Sequence, residues 1–221
     1  MAQIETELQM LKAEAINMWT LVNSQLSKAR QAFLTFDKDL AREVVLKEKR
    51  VNGSELKIDR DCENIFALFC PVAIDLRFLL AVLKINSNLE RIGDIAEGIA
   101  KYVMEADVPF SEDMLRITRI LPMYEEAVNM LVDTQDAFEK EDTILARSVF
   151  KKDEFLDNVN RSTHKVLENH LKDHPGDYSQ ALWMLSIIRK LERVGDQAKN
   201  IAEEIIFYLE AKVLKHKGKF A

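Results

Sequence analysis

Two pairs of carboxylates stand four residues apart in this chain, Glu90 with Asp94 and Glu192 with Asp196. Residues four apart on a helix lie one above the other, so each pair sets two negative charges on one stripe. Asn86 and Glu97 extend the first stripe, and Asn200 lies one turn beyond the second. Each pair has a companion row upstream: Glu48, Asn52 and Glu55 for the first, Asp153, Asp157 and Asn160 for the second. Like charges at this spacing repel by about 0.2–0.5 kcal/mol per pair even when exposed, and no lysine lies between them on the stripe. Glu48 and Glu55 also interrupt the apolar seam that Val44, Val51 and Ile58 define, where an uncompensated charge is costly. An isolated Glu-x-x-x-Asp is most simply a solvated helix face. A constellation that falls in the seam, and does so twice, reads instead as a cation site, because oxygen ligands from facing helices suit hard cations and carboxylate-rich iron. Carboxyls kept protonated by burial and like charge would relieve the same repulsion. The candidate metal ligands are Glu48, Asn52, Glu90 and Asp94 in one set, and Asp153, Asp157, Glu192, Asp196 and Asn200 in the other.

Other chemistries find little support. Di-iron oxidases built on helical bundles use Glu-x-x-His, and none of His164, His170, His174 and His216 has Glu three residues before it. His170 and His174 share a helix face beside Pro175 and read as a solvated helix end. There is no glycine-rich phosphate loop, no Gly-x-Ser-x-Gly elbow and no local Cys/His signature of a nucleophile. No catalytic residue and no organic cofactor is assigned, and the expectation is a protein that binds or regulates. A carboxylate-rich metal-storage or metal-dependent redox bundle is the competing reading.

The stripes need long helices to carry them, and the composition supplies these. Glycine (6) and proline (4) are scarce in 221 residues, against roughly 7% and 5% in an average chain. The net charge of −6 argues against nucleic acid as a partner, since phosphates call for clustered Lys and Arg. The one basic stretch, Lys212 to Lys219, reads as a frayed terminus. A bilayer span takes about 20 apolar residues, and the richest stretch, Ile65 to Leu83, is broken by Pro71, Asp75 and Arg77. Glu5 and Glu7 sit where a secretion signal would be basic. Cys62 and Cys70 lie among apolar residues and read as reduced core positions, which places the expected compartment in the cytoplasm.

The chain also repeats itself. Under one constant shift Met18, Leu26, Phe33, Asp37, Leu40, Ala41, Arg42, Val44 and Lys47 meet Met123, Leu131, Phe138, Asp142, Leu145, Ala146, Arg147, Val149 and Lys152. Under a slightly shorter shift Leu89-Glu90-Arg91-Ile92-Gly93-Asp94 meets Leu191-Glu192-Arg193-Val194-Gly195-Asp196. Apolar residues at spacings of three and four outline three helices per copy. Asp37 is placed to cap the second helix, and Cys70-Pro71 ends it. Residues 1–107 and 111–221 form the expected repeats, with Pro109 and Ser111 between them. The predicted fold is all-α: two tandem three-helix bundles, six long antiparallel helices related by pseudo-symmetry. Gly93 and Gly195 cost about 1 kcal/mol each against alanine inside a helix, which predicts a tight helix crossing beside the acids. Trp19, Phe33, Phe36, Phe66, Phe69, Trp183 and Met184 are read as core.

The two Leu-Glu-Arg-x-Gly-Asp segments resemble the Glu/Asp-x-x-x-Asp signature of the PhoU family, and Pro71 through Asp75-Leu76-Arg77 is similar to that family's start of the third helix. The resemblance spans nearly the whole chain. It implies two three-helix bundles, association as a homodimer, and metal (iron, zinc, magnesium or manganese) at the repeated acids. It further implies negative control of phosphate uptake and starvation signalling, with the phosphate ABC transporter ATPase and a sensor histidine kinase as partners. Membrane contact would come only through those partners. Two departures matter. The first copy has Glu48-x-x-x-Asn52 where the family often has two aspartates, which predicts a stronger metal site in the second copy. Asp177-Tyr178-Ser179 lacks the arginine, which leaves Arg77 alone for a partner or structural contact.

Overall fold

The computed structural model describes residues 2–214; the basic residues expected to fray beyond Leu214 lie outside them, while Lys212 ion-pairs with Glu210 at 2.8 Å. Helices α1 (Ala2–Thr35), α2 (Lys38–Phe69) and α3 (Ala73–Glu105) form the first repeat. The second comprises α4 (Glu112–Thr118), α5 (Ile120–Lys140), α6 (Thr143–Asp173) and α7 (Tyr178–Glu210), with a short 3-10 turn at Pro175–Asp177. No strand occurs among the described residues.

Equivalent residues make the turns of both copies. Asp37 accepts from the amides of Asp39 and Leu40 at 3.0 and 2.9 Å, and Asp142 from Ile144 and Leu145 at 2.8 and 3.0 Å. Each satisfies two of the amides that a helix start leaves open. The preceding residues, Phe36 and Glu141, both take positive φ (52° and 56°), so the chain reverses between antiparallel helices without a glycine.

Where one helix was expected before Lys140, there are two. Pro122 lacks the amide that would bond back to the Thr118 carbonyl, and its ring would crowd that carbonyl. The chain breaks at Arg119, which adopts φ 57°. Cys70 also departs from expectation. Cys62 is buried, but Cys70 caps α2 in a left-handed conformation and is exposed, because the turn at Pro71 carries it off the apolar stripe.

The repeats share one continuous core. The largest helix contacts between copies run along α3 and α7, with α1 also reaching α5. Aromatic rings join them: Trp19 meets Phe138 at 5.3 Å and Phe33 meets Tyr124 at 6.4 Å. Phe78 meets Tyr208 edge-on at 5.7 Å, and Tyr102 meets Trp183 at 4.8 Å. Such pairs contribute about 0.5–1.5 kcal/mol each beyond their buried area. Arg77 Nε donates to the Tyr208 carbonyl at 3.2 Å, one of the last carbonyls of α7. This is a structural contact that ties the start of the third helix in one copy to the end of its counterpart in the other.

Candidate metal centre

In the first repeat α2 packs along α3 and Glu48, on the apolar stripe of α2, is carried inward. It is 4% exposed, and neither carboxylate oxygen has a hydrogen-bonding partner in the protein. The carboxylate lies against Gly93: a Cβ there would stand 3.2 Å from both oxygens and 3.0 Å from Val51. The glycine therefore makes the close crossing that its presence in a helix predicted. Burial first, then the charges of Asp94, Glu97 and Glu90, pushes the Glu48 carboxyl up to about 7. Glu90 is raised by burial, Asp94 and Glu55. Glu55 is raised by burial, Asp59 and Asp94. These acids destabilise one another's charged forms.

Positive charge also stands near, with Arg91 favouring the charged forms of Glu55 and Glu90, and Arg91 and Arg193 lining the same groove as Asp94 and Glu97. Lys101 bonds to Glu97 at 2.6 Å. Lys190 lies over the Tyr102 ring at 5.5 Å and is pressed against Gly98, where a Cβ would overlap its ammonium. Asp94 and Glu97 line a groove of about 410 Å³ between α3 and α7, which opens this side of the cluster to solvent. Asn86, fully buried, donates to the Glu55 carbonyl at 3.0 Å and to Asp59 at 2.9 Å, so it braces α2 against α3. Asn52 is exposed and lies outside the buried seam.

The second repeat begins from the same geometry. Asp153 is 4% exposed and lies against Gly195, where a Cβ would stand 2.9 Å from Oδ1 and 2.7 Å from Leu156. Glu192 is raised by burial, Asp196, Asp157 and Asp153. The difference is Lys199. Its ammonium bonds to Asp153 Oδ2 and, at 3.3 Å, to Asp196 Oδ1. Burial disfavours the ammonium, but the bond to Asp153 and the charges of Asp153 and Asp196 more than offset it, and Lys199 is held above its ordinary value. Asp157 turns to Arg161 at 3.4 Å, and Asn200 is half-buried on the next turn of α7.

The residues present thus fit a cation in the first repeat, where a buried carboxylate has two open oxygens, and do not fit one in the second, where an ammonium already holds Asp153 and Asp196. As the side chains stand, no three His, Cys, Asp or Glu among the described residues meet closely enough to ligate one ion. A shared cation in the first repeat would draw Glu48, Glu90 and Asp94 inward. The histidine reading also changes. His170 is not solvated: its side chain is 8% exposed, its Nε2 lies 2.8 Å from Asp177, and its Nδ1 faces Asp113 at 3.7 Å. The 3-10 turn after α6 folds Asp177 back onto it.

Comparison with known proteins bears on the same repeats. A family model described as the PhoU domain matches residues 16–103 and again 120–205. The chain belongs to the PhoU family. It is 32% identical over 216 residues to the "Phosphate-specific transport system accessory protein PhoU" of Edwardsiella tarda, covering 98% of this chain and 88% of that protein. Its Escherichia coli counterpart is 31% identical, with 98% and 89% covered. Among solved structures, PhoU from Pseudomonas aeruginosa superposes with a TM-score of 0.86 at 30% identity, covering 94% of this chain and 99% of that one. The phosphate transport system regulatory protein PhoU from Streptococcus pneumoniae gives 0.84 at 29%, with 96% and 99% covered. Both repeats of the PhoU fold are therefore present. Among the described residues no helix is long and apolar enough to cross a membrane.

Proposed function

We propose that this chain is a regulatory accessory protein of a phosphate transport system, restraining phosphate uptake and starvation signalling by binding rather than by catalysis. The observation that carries this reading is the family match across both repeats, joined to relatives of nearly the same length that are named as accessory or regulatory proteins of phosphate transport. The partners are the cytoplasmic ATPase of the phosphate ABC transporter and a phosphate-sensing histidine kinase, and the acting form is a homodimer on the cytoplasmic side of the membrane. Long helical faces suit an adaptor, since they present extended rigid surface.

A divalent or trivalent cation in the first repeat deepens the reading. Glu48 from α2 with Glu90 and Asp94 from α3 would hold it, and the unpartnered Glu48 oxygens support that assignment. The ion would supply charge neutralisation, and the carboxylates would cross-link α2 to α3 where they otherwise repel. Gly93 gives Glu48 the room to lie flat against α3.

Two measurements test the proposal. Deleting the gene in its own host is expected to raise phosphate uptake in phosphate-replete cells, with wild type restoring repression. Purified chain is expected to retain the transporter ATPase on an affinity column. Unchanged uptake in the deletion strain would overturn the regulatory role.

A further inference from the structure

Aligning the two third helices by their Leu-Glu-Arg-x-Gly-Asp segments sets Lys199 opposite Glu97. The same alignment sets Gly195 opposite Gly93, and the middle helices set Asp153 opposite Glu48. The duplicated cluster therefore differs in charge at several positions (Asn52 against Asp157, Glu55 against Asn160, Lys101 against Glu203), and the position of Glu97 and Lys199 is the one that bonds the buried acid in one copy. In the first repeat the position adds a carboxylate whose ammonium partner, Lys101, is drawn aside on its own helix. In the second it adds an ammonium that reaches both the buried acid of α6 and the exposed end of the α7 pair.

We infer that Lys199 is a tethered cation that takes the place of a metal ion in the second repeat, leaving the first repeat as the chain's metal-dependent half. The inference rests on the cation reading of the first repeat only for its second clause. Its own support is geometric. An ammonium bonded to Asp153 and Asp196 together occupies the space between α6 and α7 that a bridging ion would need, and it links the same two helices. Its stem is largely covered while its acceptor Asp153 is buried, so the pair is held in place by packing. A metal ion entering here would have to expel a charge already compensated, whereas one entering beside Glu48 would meet carboxylate oxygens that nothing in the protein bonds. Asp153 retains one open oxygen, Oδ1, which is pressed against the Gly195 backbone. The second repeat would consequently keep its α6–α7 contact whatever the metal supply, and any response to metal would be confined to α2 and α3.

The test uses full-length protein stripped with chelator, reloaded with manganese, desalted and analysed for metal, with thermal melting measured in parallel. Four variants are compared with wild type: Glu48→Gln with Asp94→Asn, Asp153→Asn with Asp196→Asn, Lys199→Glu, and Lys199→Met. Bound manganese is expected to vanish in the first and to persist in the second. Lys199→Glu, which recreates the charge of the first repeat, is expected to bind more manganese per chain than wild type. Lys199→Met keeps the length without the charge. It is expected to melt below wild type when stripped and to gain more from manganese, which decides the matter if Lys199→Glu does not fold. If wild type binds no manganese but the Lys199 variants do, the first-repeat reading fails and the role of Lys199 stands. Loss of wild-type manganese in the Asp153/Asp196 variant would overturn the inference, as would Lys199 variants that gain no metal and no metal-dependent stability.

Discussion

Glu48 lies against Gly93 with both oxygens open; Asp153 lies against Gly195 with one oxygen on Lys199. The backbones, the glycines and the acidic pairs on α3 and α7 correspond, and the charge balance does not. One repeat leaves a buried carboxylate without a partner, while the other carries its counter-ion as a side chain. Duplication of the motif here conserves the helix crossing more closely than the electrostatics built on it, because several positions around the acids, Glu97 against Lys199 among them, set the charge of each cluster.

The largest effect expected from breaking this comparison is in the second repeat. Lys199→Met leaves the buried Asp153 without its partner. A buried pair broken on one side costs about 3–5 kcal/mol, and the partial exposure of Lys199 reduces this to about 1–3 kcal/mol in urea denaturation of stripped protein. Glu97→Met, the matching change in the first repeat, is expected to leave stability unchanged or raise it slightly. Next come the glycines. A methyl at Gly195 meets Leu156 and Asp153 more closely than one at Gly93 meets Val51 and Glu48. Gly195→Ala is expected to cost about 1–2 kcal/mol by overpacking, net of the gain in helix propensity, with Gly93→Ala costing less. A reversed order in chemical denaturation would contradict the packing described.

The pH dependence sharpens the comparison further. The Glu48 carboxyl is raised from 4.5 to about 7, so the folded chain holds that proton more tightly than the unfolded chain does. Its contribution is complete below about pH 4.5 and is lost as pH rises through about 7. Stripped wild type should therefore lose about 1–2 kcal/mol across that window, relative to Glu48→Gln, after allowance for solvent screening. Saturating manganese should remove the slope. The smallest effect concerns Arg77, whose bond to the Tyr208 carbonyl has no counterpart at Ser179: Arg77→Ala should cost about 0.5–1.5 kcal/mol and Ser179→Ala close to nothing.

Much of this was legible in the sequence. The duplicated apolar spacing outlines every long helix, Asp37 and Asp142 mark two helix starts, and two glycines inside acidic helices announce the close crossings. Other features were not legible in the spacing. Pro122 lies within an apolar run that continues on both sides of it, so periodicity hid the break at Arg119. His170 looks like a helix-end histidine until the turn at Pro175 brings Asp177 back onto it, a contact made by backbone direction rather than by spacing. Lys199 follows Asp196 by three residues, as Glu97 follows Asp94, but a row defined by its acids does not include a lysine. Comparing Glu97 with Lys199 across the repeats was the available signal.

That the two acidic clusters differ in kind is tested most directly by anomalous diffraction from crystals grown with manganese. An anomalous peak is expected between α2 and α3 beside Glu48, Glu90 and Asp94, with none between α6 and α7 and Lys199 still bonded to Asp153. A peak beside Asp153 and Asp196 with Lys199 displaced, and none near Glu48, would contradict it.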